Sequence, residues 1–211
     1  TQGVSSAASD VYKRQFMGKF YLSMGVLWIV LILIGSIFLG RRTLTLIRTM
    51  RGPLILAFST ASSEAAYPKT LEQLERFGCP NQVASFVLPM GYSFNLDGSM
   101  MYCTFATLFI AQAYGIDLTI SQEISMLLIL MLTSKGMAGI PRASLVVIAA
   151  TLGQFNIPEA GLLLLLGVDH FLDMGRAATN VVGNAIATAV ITKWEGKLSA
   201  PVKGKMSSLL K

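Results

Sequence analysis

Long charge-free blocks alternate with short polar ones along this chain. Phe20–Gly40 carries no charged side chain over 21 residues, Phe77–Leu96 none over 20, and Gly98–Ile116 none over 19. About 20 apolar residues cross a hydrocarbon core as a helix. The pattern predicts an all-α integral membrane protein. Other charge-free runs, Ile124–Ser134 and Ala143–Pro158, are shorter and flank Lys135 and a glycine-rich stretch. Runs of roughly 10–14 residues suit re-entrant segments that enter and leave on one side.

Five elements follow from this pattern: a span at 17–40, a re-entrant hairpin at 43–78, a broken span at 82–114, a second re-entrant hairpin at 121–153, and a last span at 157–194. Together they make a core at 16–196, followed by a basic tail at 197–211. Residues 1–15 are polar and lack the apolar core of a signal peptide. They are expected to be a non-native or disordered tail, with a larger N-terminal part of the protein missing.

Composition sharpens the picture. The chain is 53% hydrophobic and 13% charged, against roughly 25% charged in soluble domains. Its net charge of +6 does not imply nucleic acid, because the basic residues gather near helix ends, at Arg41–Arg51 and after Trp194. Basic loops stay on the cytoplasmic side. That rule places both clusters and the C-terminus inside, leaves the Lys- and Arg-free loops Gly115–Glu123 and Gly153–Ala160 outside, and gives the two hairpins opposite orientations. A hairpin followed by a span, repeated upside down, is the inverted-repeat plan of secondary carriers. The expected location is a cell inner membrane, crossed several times. Cys79 and Cys103 have no metal or redox spacing.

The last span carries the most chemistry. Asp169, Asp173, Arg176, Asn180 and Asn184 are spaced 4, 3, 4 and 4 apart and share one helix face. Each charge at the bilayer centre costs about 2.5–3.5 kcal/mol on insertion scales, so the three must face protein, water or a ligand. One reading is a structural ion-pair network between Asp173 and Arg176. The other has Arg176 clamping a substrate carboxylate with its planar fork while Asp173 holds a substrate ammonium.

Three further stretches join it. Ser59–Ser63 predicts an unwound tip in which Ser62 or Ser63 caps the returning half-helix and turns its N-terminus toward an anion. Gly136, Gly139 and Pro141 predict a second tip, with a helix starting at Pro141. Asn95-Leu96-Asp97-Gly98 puts an amide, a carboxylate and a helix-weakening glycine in mid-span; one reading is a kink at Gly98 with a solvated Asp, the other that freed carbonyls and Asp97 offer oxygen ligands to an alkali cation. His170, the only histidine, reads as a surface residue. An intramembrane serine protease lacks support, since no Gly-x-Ser-x-Gly elbow is present, and no enzymatic activity is expected.

With these residues in place, the chain resembles the dicarboxylate/amino acid:cation symporter family, the glutamate transporter family, over about Phe16–Gly196. Ala61-Ser62-Ser63-Glu64, Asn95-Leu96-Asp97-Gly98-Ser99, Gly136-Met137-Ala138-Gly139-Ile140-Pro141 and Asp173-Met174-Gly175-Arg176 through Asn180 carry the resemblance, in order. The family's inverted repeat is already known, so the topology here serves as a check. The resemblance implies a symporter for L-glutamate or L-aspartate, driven by co-transported H+ and/or Na+ without a cofactor, and working by alternating access with hairpin gating. A C4-dicarboxylate carrier is the alternative. It further implies substrate contacts from Ser62, Ser63, Ser99, Gly139, Ile140, Pro141, Asp173, Arg176 and Asn180. Cation sites would involve Asn95, Asp97, Asn180, Asn184 and carbonyls near Ser134 and Met137, with sodium at Asn95, Asp97 and Asn180. Full chains of the family are about twice as long and trimerise through N-terminal scaffold helices.

Three positions depart from the family pattern, and a fourth separates its branches. Asn184 stands where sodium-coupled relatives have a cation-binding Asp, whereas proton-coupled bacterial relatives resemble this chain. Ala177 replaces a Thr, and Arg142 a glycine. Asp173 distinguishes the chain from the dicarboxylate carriers, which have Ser there.

Overall fold

The computed structural model describes residues 2–135 and 137–201. Gly136 of the second glycine-rich stretch and positions 202–211 of the basic tail lie outside the described residues. Every regular element among those described is helical.

Helix α1 (Gln2–Leu39) starts well before the expected span and runs through the segment set aside as a tail. Its part Lys13–Leu39 is the one helix among the described residues that is long and apolar enough to cross a membrane. Leu22, Val26, Ile29, Leu33 and Ile37 are exposed on it. They recur every three or four residues and so form one continuous apolar stripe. The opposite side seats Phe20 and Met24 in the interior.

After the turn at Gly40 come α2 (Arg42–Thr49), α3 (Arg51–Thr60) and α4 (Tyr67–Phe77). Helices α3 and α4 form a hairpin whose bend begins at Ala61, a left-handed residue at φ 50°. Next, α5 (Asn81–Phe94) stops at Asn95-Leu96 and α6 (Asp97–Ala113) resumes the path. The second hairpin pairs α7 (Ile120–Thr133) with α8 (Ala143–Gln154). A capping box between Thr119 and Gln122 fixes the start of α7 by satisfying free backbone donors.

The final stretch is not one helix. A 3-10 turn (Glu159–Gly161) and α9 (Leu162–Leu166) precede α10 (Asp169–Trp194), and the chain leaves helical geometry at Val168, φ −122°. Helix α10 is the axle of the molecule, packing against α1, α3, α5 and α6.

Two apolar clusters flank the middle of α10. One joins Phe20, Tyr102, Ile110, Leu130, Ile148 and Leu172; the other joins Leu46, Leu74, Phe77, Leu88, Val182 and Ala189. Lipid tails are as apolar as these side chains, so burial alone gives little driving force. Close packing and internal polar contacts must decide the arrangement, and the polar contacts lie between the two clusters.

Candidate functional site

Helix α10 supplies the centre of the site. Arg176 is the largest fully buried side chain described, and Asp173 is equally buried. One helical turn separates them, and Arg176 Nε donates to Asp173 Oδ1 at 2.5 Å. The guanidinium also donates through Nη1 to Ser99 Oγ (3.2 Å), and through Nη2 to the carbonyls of Ala61 (3.3 Å) and Ile140 (3.1 Å). Those two carbonyls belong to the tips of the first and second hairpins. Arg176 therefore lies where both tips and α6 meet α10.

The tips also touch each other. Ser62 Oγ donates to the Gly139 carbonyl at 3.0 Å, with Ser63 Oγ farther off at 3.5 Å. In return the Gly139 N–H donates to Glu64 Oε1 at 2.8 Å. Neither serine caps α4: its N-cap is Ala66, and Ser62 Oγ instead accepts the Ala65 N–H within the bend. The second expectation for a helix start also shifts. Helix α8 begins at Ala143 rather than Pro141, because Arg142 adopts φ 63°, which a right-handed helix cannot include. Its N–H donates to Asp173 Oδ2 at 2.6 Å. Pro141 and Ile140 are exposed on the tip, and Ile140 offers its carbonyl rather than a donor.

Asn180 faces α6. Its Oδ1 accepts the N–H groups of Gly98 (3.0 Å) and Ser99 (3.3 Å), and its Nδ2 donates to Ser99 Oγ at 3.0 Å. The start of α6 has no side-chain cap of its own, so Asn180 satisfies donors that the helix break frees. Gly98 is a point of contact rather than a kink. A Cβ there would overlap the Arg176 carbonyl and lie 2.9 Å from Thr179 Cβ.

A second polar group lies further along α10. Asn95 Nδ2 donates to Asn184 Oδ1 at 3.3 Å. Asp97 Oδ2 and Asn184 Nδ2 are buried without a hydrogen-bond partner. Gly183 lies against the Asp97 carboxylate so closely that a Cβ would overlap it. Asn95, Asp97 and Asn184 thus cluster, whereas Asn180 sits with the Arg176 group. Ser134 bonds to neither group: its Oγ contacts Met100 Sδ at 3.0 Å, and its carbonyl takes the Met137 N–H within the tip.

Several participants carried no motif. Tyr92 OH donates to the Ser63 carbonyl (2.9 Å), Lys135 Nζ to the Phe94 carbonyl (2.6 Å) at the helix break, and Trp28 Nε1 to Thr179 Oγ1 (2.8 Å). Tyr102 donates to Asp169. The available signal was chemical: a Tyr or Trp amid apolar residues needs a partner for its polar end. His170 is exposed, beside Phe171.

The family model for the sodium:dicarboxylate symporter family matches residues 13–194. A proton/sodium-glutamate symport protein of Geobacillus stearothermophilus is 55% identical over 160 residues, covering 76% of this chain and 38% of the relative. A proton/glutamate-aspartate symporter of Escherichia coli is 53% identical over 174 residues, 82% of this chain and 40% of the relative. A C4-dicarboxylate transport protein of Rhodospirillum rubrum is 48% identical over 197 residues, 93% of this chain and 43% of the relative. The chain thus spans about two fifths of the length of these relatives. A match over most of its residues, together with a membrane-length helix and a buried ionic centre on α10, makes this a membrane protein of the sodium:dicarboxylate symporter family.

Proposed function

We propose that the chain is the substrate-binding part of a secondary active symporter for glutamate or aspartate, coupled to H+ and/or Na+. The observation that carries the reading is the fully buried Arg176, held between two hairpin tips with Asp173 one turn before it. A guanidinium in low dielectric is an effective receptor for a carboxylate, because it presents paired donors in one plane. Asp173, Ser99 and two carbonyls hold those donors, and an acidic substrate takes them over on binding. Asp173 then becomes free for the substrate ammonium, and the tip backbones around Ser62, Ser63, Gly139, Ile140 and Pro141 close over it with Ser99 and Asn180.

The cluster of Asn95, Asp97 and Asn184 is our candidate for the co-transported cation. A buried carboxylate oxygen without a partner is costly, and a proton or a sodium ion on Asp97 removes that cost. The residues fit a hard cation in donor chemistry, with Asp97 as the anionic ligand and Asn95 as an amide oxygen. Asn184 is neutral, which favours proton coupling over an additional sodium. Ser134 and Met137 join the cation path, in this reading, only after the second tip moves. Both hairpins are taken as re-entrant gates of opposite orientation in an inner membrane, with the C-terminus cytoplasmic. The full-length carrier is taken to be a homotrimer.

The test is uptake into liposomes by the full-length carrier containing this segment, with sodium and pH gradients imposed separately. Glutamate uptake that Arg176→Ala abolishes is the expected result; unchanged glutamate affinity in that variant removes the assignment. The C4-dicarboxylate reading draws on the 48% identity to the Rhodospirillum rubrum protein. Asp173 counts against it, since succinate has no ammonium for a second carboxylate to hold. Preferential succinate uptake would reverse that choice.

A further inference from the structure

Arg142 has no part in the site as proposed, yet it occupies a costly conformation. It precedes α8 with φ 63°, in the left-handed region where an L side chain crowds the backbone. Two contacts accompany it. The Arg142 N–H donates to Asp173 Oδ2 at 2.6 Å, and Arg142 Nε lies 3.4 Å from Asp169 Oδ2. Asp169 is fully buried. Its Oδ1 takes the Tyr102 hydroxyl, while Oδ2 has no hydrogen-bond donor, so its contact with Arg142 is an ion pair without an aligned hydrogen bond. Arg176 is engaged with Asp173. A buried carboxylate without a counter-charge is strongly disfavoured, and Arg142 supplies that charge only while the second tip rests on α10. Its head is otherwise in the open, its side chain being 62% exposed. Beneath this tip lies Cys103, fully buried, with Sγ 3.9 Å from the Ser144 carbonyl in the first turn of α8.

We propose that Arg142 is a positioning residue: its ion pair with Asp169 seats the second hairpin tip over the Asp173–Arg176 pair, and breaking it is the first step in uncovering that pair. The significance for transport rests on the function proposed above, but the seating can be measured without transport.

The native Cys103 reports it. In the full-length carrier containing this segment, purified in detergent with Cys103 as its single cysteine (Cys79→Ala among the changes), labelling by a maleimide follows the population of the open tip. Arg142→Gln is expected to raise the labelling rate about tenfold, the scale of a partly buried ion pair. Asp169→Asn should do the same, and adding Arg142→Gln to it should change the rate by less than about twofold, because both remove one interaction. Arg142→Lys keeps the charge and should label slowly. An unaltered rate in Arg142→Gln, or fully additive effects of the two substitutions, overturns the proposal. If Asp169→Asn does not fold, the contrast between Gln and Lys at 142 decides: Gln fast and Lys slow supports it, and equal rates overturn it. Uptake measured in parallel keeps the two ideas apart, since absent glutamate uptake with a charge-dependent labelling rate removes the transport reading and leaves the latch.

Discussion

Asp173 divides its two oxygens between Arg176 Nε and the Arg142 N–H, so its loss strands a buried cation and an unsatisfied backbone donor together. Breaking a buried pair from one side costs about 3–5 kcal/mol. Asp173→Ala should therefore lower the melting temperature of the purified carrier sharply. Adding Arg176→Met, which removes the stranded charge, should recover more than half of the loss. Equal melting of the single variant and the parent would mean that water reaches this pair. At the cation candidate the test is steric. Gly183→Ala pushes a methyl into the Asp97 carboxylate, and displacing a neighbour of an ion ligand typically weakens ion affinity on the order of tenfold or more. The half-saturating concentration of the coupling ion should rise by that factor while the protein still folds. Periodicity alone set Asp169, Asp173, Arg176, Asn180 and Asn184 along α10. It did not separate their partners: Asp169 with Tyr102 and Arg142, Asn180 with α6, Asn184 with Asn95. Those partners are 27 or more residues distant in sequence, where spacing along one helix is silent.

At the scale of elements, breaks announced by composition were readable and breaks imposed by neighbours were not. Asn95-Leu96 interrupts α5 and α6 where an amide, a carboxylate and a glycine follow one another, and the glycine- and serine-rich tips do part their helices. The break at Val168 follows five leucines and a glycine, a run that reads as continuous helix. The late start of α8 depends on a left-handed Arg142, a conformation that residue type argues against. Gly98 was the instructive case, since a helix-weakening residue in mid-span suggests a hinge. Its role is to let α6 rest on the α10 backbone at Arg176. Gly98→Ala must part the two helices, because the obstructing atom is a carbonyl rather than a flexible side chain. Overpacking of this kind costs about 1–3 kcal/mol, and here it also lifts the Gly98 and Ser99 N–H groups from Asn180. The expected result is a lower melting temperature with weakened substrate affinity. A stable variant with unchanged affinity would show that α6 can shift freely.

Over the whole molecule, the segment just after α10 is tied back to the base of the first hairpin. In the last turn of α10, Lys193 Nζ donates to the Phe38 carbonyl, and beyond the helix the Ser199 N–H donates to the Gly78 carbonyl at 3.0 Å. Arg42 closes the strap. Its Nη2 donates to the carbonyls of Ser199 (2.6 Å) and Phe77 (3.3 Å), and its guanidinium lies 5.1 Å from the centre of the Phe77 ring. One side chain thus holds the base of α4, the start of α2 and the segment after α10 together, while Lys197 on that segment stays exposed. Arg42→Ala removes a cation–π contact and two charged hydrogen bonds, each worth roughly 0.5–3 kcal/mol. The strap should then open more often, and trypsin should cut after Lys197 roughly tenfold faster, since cleavage follows the open population when reclosing is quick. Arg41→Ala, one residue away and exposed, is the control and should leave the rate unchanged. The cut is identified by the mass of the released C-terminal fragment. An unaltered rate in Arg42→Ala would assign the strap to the Gly78–Ser199 backbone bond alone, and equal acceleration in both variants would mean that local charge, not the strap, governs cleavage.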